Sequence, residues 1–181
     1  MNITDLLFDK QNSSAITQFA NKFDVSEAQA RDAISSLAPS LSRGLGHHSQ
    51  SEIGRGGILD ALKTGNHSRY LDNPDLLGSN QNRDDGNSIL GHIFGNKEVS
   101  RHVTNEASKK TGIGGTLLKK MLPVIATMVM ASLGKKVFGG NKSAPAQQQS
   151  GGGLLTQILD KDKDGSMIDD VLGMAFKMAF K

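Results

Sequence analysis

The chain of 181 residues contains no cysteine, no tryptophan, one tyrosine and four prolines. The absence of cysteine excludes disulfides, thiolate metal ligands and thiol nucleophiles. Aromatic residues make up 4% of the chain, so the core must be built from aliphatic side chains, alanine and the seven methionines. With 36% hydrophobic residues and 21 glycines, the composition is that of a folded protein rather than a disordered one.

Long hydrophobic runs are also scarce. The N-terminus carries Asp5 and no basic region, so we expect no secretory signal peptide. The most apolar run, residues 121–133, has 13 residues, whereas a bilayer requires about 20. Lysine pairs flank it on both sides. We interpret the run as a buried core helix, with an interfacial helix or a membrane span as alternatives, and we expect a cytoplasmic protein.

Apolar residues recur at helical spacing wherever the sequence is periodic. A first helix is predicted from about Ser14 to Phe23. A capping box at residues 26–29 opens a second helix, which contains Pro39 and should be kinked or divided there. Its predicted buried face consists of Ala30, Ile34, Leu37, Leu41 and Leu45.

Glycine and polar residues predict the breaks between these helices. Residues 44–57 indicate a loop, and a short helix is expected over residues 58–63. Residues 78–87 indicate polar turns. Within them, residues 80–86 resemble a calcium loop only faintly, because Gly86 comes one place late.

Two parts of the chain, about residues 1–65 and 88–138, resemble each other. Each is predicted to contain a helix, a tight turn and a longer helix with a proline, Pro39 in one and Pro123 in the other. We therefore expect an all-α helical bundle over residues 1–138, with an internal duplication. Residues 139–153 have the composition of a flexible linker, and residues 154–181 predict a C-terminal helix-loop-helix element.

The loop of that element has the most specific chemistry in the sequence. Aspartates at alternate positions precede Gly165 in the pattern D-x-D-x-D-G, the first half of an EF-hand-type loop. Their carboxylates converge on a hard cation when the backbone turns at the glycine. We predict a Ca²⁺ site, with Mg²⁺ as the alternative ion. The candidate ligands are Asp160, Asp162, Asp164, Ser166, Asp169 and Asp170.

The second half of this loop departs from the EF-hand pattern. An EF-hand closes with a bidentate glutamate at its twelfth position, where this chain has Val171. Asp169 and Asp170 come earlier, which resembles the shortened loops of Excalibur-type modules and predicts weaker binding. The structural alternative is a solvated turn whose aspartates cap the last helix.

The basic charge is concentrated in residues 97–142. This segment has nine Lys or Arg and two Glu, a net charge of +7, whereas the whole chain carries +3. Such an excess would suit nucleic acid or an anionic membrane. The lysines come in pairs, however, and solvated helix ends explain them more simply. The five histidines show no zinc-ligand spacing, and no catalytic motif is recognisable.

Three strings of the sequence resemble a bacterial protein family: ILGHIFG at 89–95, KMLP at 120–123 and DGSMIDDVLGMA at 164–175. They are similar to sequences of the domain-of-unknown-function family nine-three-seven, in the YidB-like neighbourhood. The resemblance covers most of the chain. It implies an all-helical bacterial protein with no assigned activity, and it carries over no catalytic residue.

These observations predict a protein that is not an enzyme. It would bind calcium through the C-terminal acidic loop and act in interaction or self-assembly, with a homo-oligomer as one form and an unidentified protein partner as another. Anionic-lipid or nucleic-acid binding through residues 97–142 is the alternative.

Overall fold

The structure is a computed structural model that describes residues 2–139 together with residues 153, 155, 158 and 159. These residues contain eight α-helices and no strand, which confirms the predicted all-α fold. The helices are α1 (Ile3–Leu7), α2 (Ser13–Phe23), α3 (Glu27–Ser49), α4 (Glu52–Thr64), α5 (Arg69–Asp72), α6 (Asn80–Phe94), α7 (Lys97–Thr111) and α8 (Gly115–Phe138). Most of the predicted linker and of the C-terminal element lies outside the described residues.

Helix α8 forms the centre of the fold. All of its residues from 121 to 133 are buried, and the helix contacts α1, α3, α4, α5, α6 and α7. A helix that is apolar all round is typical of one surrounded by other elements. Of the helices described, α8 is long and apolar enough to cross a membrane, but 78% of its apolar window is buried inside the protein. The prediction of a buried core helix is confirmed.

Helices α2 and α3 follow the sequence pattern closely. The Ser26 hydroxyl accepts a hydrogen bond from the Gln29 amide, and the Gln29 side chain accepts one from the Ser26 amide, each at 3.1 Å. The predicted apolar face of α3 is fully covered. Pro39 lies inside α3 without dividing it, and Pro123 does the same in α8. Contacts on several sides hold both helices together across the missing hydrogen bond.

The loop predicted over residues 44–57 is wrong, because α3 continues to Ser49 and α4 begins at Glu52. Gly44 is buried so close to α6 that an added Cβ would lie 2.2 Å from the Ile93 side chain. This packing outweighs the low helix propensity of glycine. Ser51 caps α4 by accepting a hydrogen bond from the Gly54 amide at 3.0 Å.

The polar turn and the faint calcium loop predicted near residue 80 are also wrong. Helix α6 begins at Asn80, with Ser79 as its N-cap. The polar side chains therefore point from different faces of a helix and do not converge on an ion. Asn82 is fully buried, and Asp85 bonds with Tyr70.

Contacts between the antiparallel helices α6 and α8 explain why α6 begins with polar residues. We call this helix–helix contact the seam. Asn82 donates a hydrogen bond to the Thr127 hydroxyl at 2.8 Å and accepts one from the Gly78 amide at 3.0 Å. One turn further, Gly86 faces Pro123 of α8, and an added Cβ would lie 2.1 Å from the Pro123 carbonyl oxygen. The two backbones are in contact at this point, so only glycine fits there.

We expect the Gly86→Ala variant to lower the free energy of unfolding by about 1–3 kcal/mol, the usual cost of overpacking a core. The control is Gly91→Ala in the same helix, where an added Cβ meets no atom within 4 Å. That variant should gain up to about 1 kcal/mol from helix propensity. Urea unfolding measures both values. Equal stability of the two variants would contradict the seam.

Candidate functional site

The predicted metal ligands Asp160, Asp162, Asp164, Ser166, Asp169 and Asp170 lie outside the described residues. The described residues immediately before them belong to the hydrophobic core. Leu155 is completely buried, and Ile158 and Leu159 are each 5% exposed. Their spacing places the three side chains on one face of a helix. An added Cβ on Gly46 of α3 would lie 3.8 Å from the Leu159 Cβ atom.

This buried segment therefore attaches the chain to the bundle directly before the acidic loop. Leu159 precedes Asp160, the first candidate ligand, by a single peptide bond. We call the three side chains Leu155, Ile158 and Leu159 the anchor. Within the part of the chain that the structure describes, no group of three His, Asp or Glu side chains is arranged to hold a metal ion.

A pocket of about 540 Å³ lies between α3, α4, α6 and α8. Its apolar lining includes Leu45, Ile58, Ile89, Ile93 and Met130. Three histidines from separate elements also line it: His48, His67 and His92. Pockets of 300–1,000 Å³ with apolar walls and a few polar groups are the usual form of small-molecule sites.

A network of three side chains stands beside the pocket. The Arg69 guanidinium donates hydrogen bonds to the Asp85 carboxylate and to the Tyr70 hydroxyl, each at 2.8 Å. The Tyr70 hydroxyl in turn donates to the same Asp85 oxygen. Burial raises the pKa of Tyr70, and its bond to Asp85 raises it further. Tyr70 therefore stays neutral, and the negative charge of the Asp85 carboxylate balances the positive charge of Arg69.

His67 lies between this network and the C-terminal end of α4. An added Cβ on Gly65 would lie 2.2 Å from the His67 Nε2 atom, so the ring occupies the space that a side chain at residue 65 would need. Its Nδ1 atom is buried and has no hydrogen-bond partner. Burial lowers the pKa of His67 below its ordinary value, although the Asp85 carboxylate acts in the opposite direction. The ring is neutral at pH 7.

His48 and His92 complete the polar part of the lining. Burial also lowers the pKa of His48. The His92 Nδ1 atom lies 2.7 Å from the Ser88 carbonyl oxygen one turn earlier in α6, at the exposed edge of the pocket.

Few features of the sequence predict this pocket. Its histidines are separated by 19 and 25 positions along the chain, so that no spacing motif connects them. Helix α4 lines one side, and much of it was predicted to be a loop. The one feature of the sequence that indicates the pocket is the pair of amphipathic helix faces around Ile58 and Ile89. These two side chains are not completely buried, since each is 8% exposed.

The basic segment is distributed over two helices. Lys109 and Lys110 lie in the last turn of α7, where positive charge favours the helix dipole. Lys119 and Lys120 lie near the start of α8, so all four exposed lysines flank the turn at residues 112–114. Three basic groups of the segment are paired with acids: Lys109, one of these four, with Glu106, Arg101 with Glu98, and Lys135 with Asp72.

The fold and the pocket define a class of small all-α bundle built around one buried apolar helix. Residues 5–136 match the family model described as "Bacterial protein of unknown function (DUF937)". The chain belongs to this family, as the strings at 89–95 and 120–123 implied, whereas the string at 164–175 lies outside the matched residues. No curated protein and no solved structure matches the chain.

The lowered pKa of His67 makes stability depend on pH. Below the ordinary value of 6.5 the unfolded chain binds more protons than the folded one, so stability falls as the pH is lowered and levels off below the folded-state pKa. We expect His67→Gln to lose less stability than the wild type between neutral pH and mildly acidic pH. Urea unfolding across this range measures the difference.

The control for this prediction is Thr64→Val, which changes the pocket lining without removing a titratable group. It should keep the pH dependence of the wild type. A His67→Gln variant whose stability falls with pH as steeply as that of the wild type would contradict the assignment.

Proposed function

We propose that this is a non-enzymatic bacterial protein that binds Ca²⁺ through its C-terminal acidic loop and acts in interaction or self-assembly. The observation that carries the proposal is the anchor, which is buried in the core and ends one residue before Asp160. Leu159, the last residue of the anchor, is joined directly to Asp160. Metal bound by the loop would therefore act on a chain segment that is attached to the bundle.

The chemistry of the loop supports a hard cation. Residues 160–170 contain five aspartates and two lysines, and these carboxylates repel one another unless a cation is bound. Ca²⁺ accepts six to eight oxygen ligands in flexible geometry, whereas Mg²⁺ requires a nearly ideal octahedron. A loop that lacks a closing glutamate suits the more tolerant ion, with weak affinity.

The anchor gives metal binding a mechanical consequence. A ligand that binds only the folded state stabilises that state in proportion to its concentration relative to the dissociation constant. Because Leu155 packs in the core, ordering of the loop and stability of the bundle are linked. A calcium-dependent surface next to α3 would then recruit a second copy or another protein.

Anionic-lipid or nucleic-acid binding through residues 97–142 is the second candidate. It is supported by the four exposed lysines that flank the turn between α7 and α8. Pairing of Arg101, Lys109 and Lys135 with acids counts against it. Binding to anionic vesicles or duplex DNA that weakens as salt is raised would distinguish it from the calcium proposal.

Calorimetric titration of the full-length chain with Ca²⁺ tests the leading proposal. We expect saturable binding in the wild type and its loss in the double variant Asp162→Asn/Asp164→Asn, which removes two carboxylate ligands. The matched control is Asp32→Asn/Asp75→Asn, which changes the net charge equally at two exposed positions of the bundle. This control should bind as the wild type does.

Absence of binding at millimolar Ca²⁺ would refute the calcium proposal, and equal loss in both double variants would show a nonspecific charge effect. Light scattering of the same samples with and without Ca²⁺ tests self-assembly. The proposal predicts a higher mass with Ca²⁺ if the partner is a second copy, and an unchanged mass restricts the partner to another protein.

A further inference from the structure

We propose that the pocket between α3, α4, α6 and α8 binds a small, uncharged and mainly apolar molecule. This inference is independent of the calcium proposal, because it rests on residues of the bundle alone. Neither the family description nor the sequence motifs assign a ligand to this pocket.

The apolar walls of the pocket require that the main part of the ligand is hydrophobic. Ile58 comes from α4, Ile89 from α6 and Met130 from α8, so that three helices contribute to one hydrophobic surface. A ligand that covers this surface gains the free energy of removing it from water. The flexible thioether of Met130 adapts well to rings of different shape.

The charges around the pocket disfavour an anionic ligand. Asp60 and Asp85 both contribute to the lining. The only cation in contact with these carboxylates among the described residues is Arg69, and its charge is already matched by Asp85. The histidine His67 is neutral. An anionic ligand would therefore meet excess negative charge in a partly desolvated site.

A glycine of α4 leaves the pocket open, because it has no side chain to fill the space. Gly57 lines the pocket, and an added Cβ there meets no atom within 4 Å. The neighbouring Gly56 has the same free space but does not line the pocket. Two adjacent glycines in one helix thus provide a filled-pocket variant and its matched control.

The test uses indole as the probe, because it is small, uncharged and mainly apolar. The chain has no tryptophan, so the fluorescence of added indole is observed without interference from that residue. We expect wild-type protein to bind indole, and Gly57→Leu to bind it at least about tenfold more weakly, because a filled site loses most of the apolar contact. Gly56→Leu should bind as the wild type does.

The preference for an uncharged ligand is tested with indole-3-acetate, which adds a negative charge to the same ring. It should bind more weakly than indole to the wild type, because Asp60 and Asp85 line the pocket.

Three results would overturn the proposal. The first is no binding of indole to the wild type at millimolar concentration. The second is equal binding by Gly56→Leu and Gly57→Leu, which would place the probe elsewhere. The third is binding of indole-3-acetate as tight as that of indole. If Gly57→Leu does not fold, as judged by circular dichroism, the comparison of indole with indole-3-acetate in the wild type decides the question.

Discussion

The burial of helix α8 on all sides is the constraint on which the rest of the structure depends. A helix with no polar face must be enclosed, and six other helices contact it for this reason. Close approach is possible where α6 presents Gly86 to the backbone at Pro123. The Asn82–Thr127 hydrogen bond then fixes the register of the two helices, since both side chains are fully buried and would be costly to leave unpaired.

The same helix α6 connects this core to the candidate binding site. One of its faces forms the seam with α8, and a second face carries Asp85, Ile89 and His92 into the pocket lining. Tight packing on the seam holds the pocket wall in place. The unpartnered nitrogen of His67 is tolerated because the ring is confined between Gly65 and the Arg69 network.

Sequence reasoning succeeded where a local pattern matched the final environment. The capping box at Ser26 and the apolar run after residue 120 predicted α3 and α8, because capping and hydrophobicity act locally. It failed where contacts between residues far apart in the sequence determine the local structure. Gly44 and Gly86 were interpreted as loop or turn residues, yet they lie in helices whose close packing requires a glycine. The pocket depends on four helices meeting and leaves no spacing motif, whereas the acidic loop is visible only in the sequence.

The proposed coupling between metal binding in the acidic loop and the stability of the bundle depends on the anchor. Thermal unfolding of the full chain with and without Ca²⁺, in the wild type and in Leu155→Asp, tests this coupling most directly. A charge at this fully buried position detaches the anchor. The account predicts that Ca²⁺ raises the unfolding temperature of the wild type and has little effect on that of Leu155→Asp. An equal shift in both proteins, or none in the wild type, would contradict it.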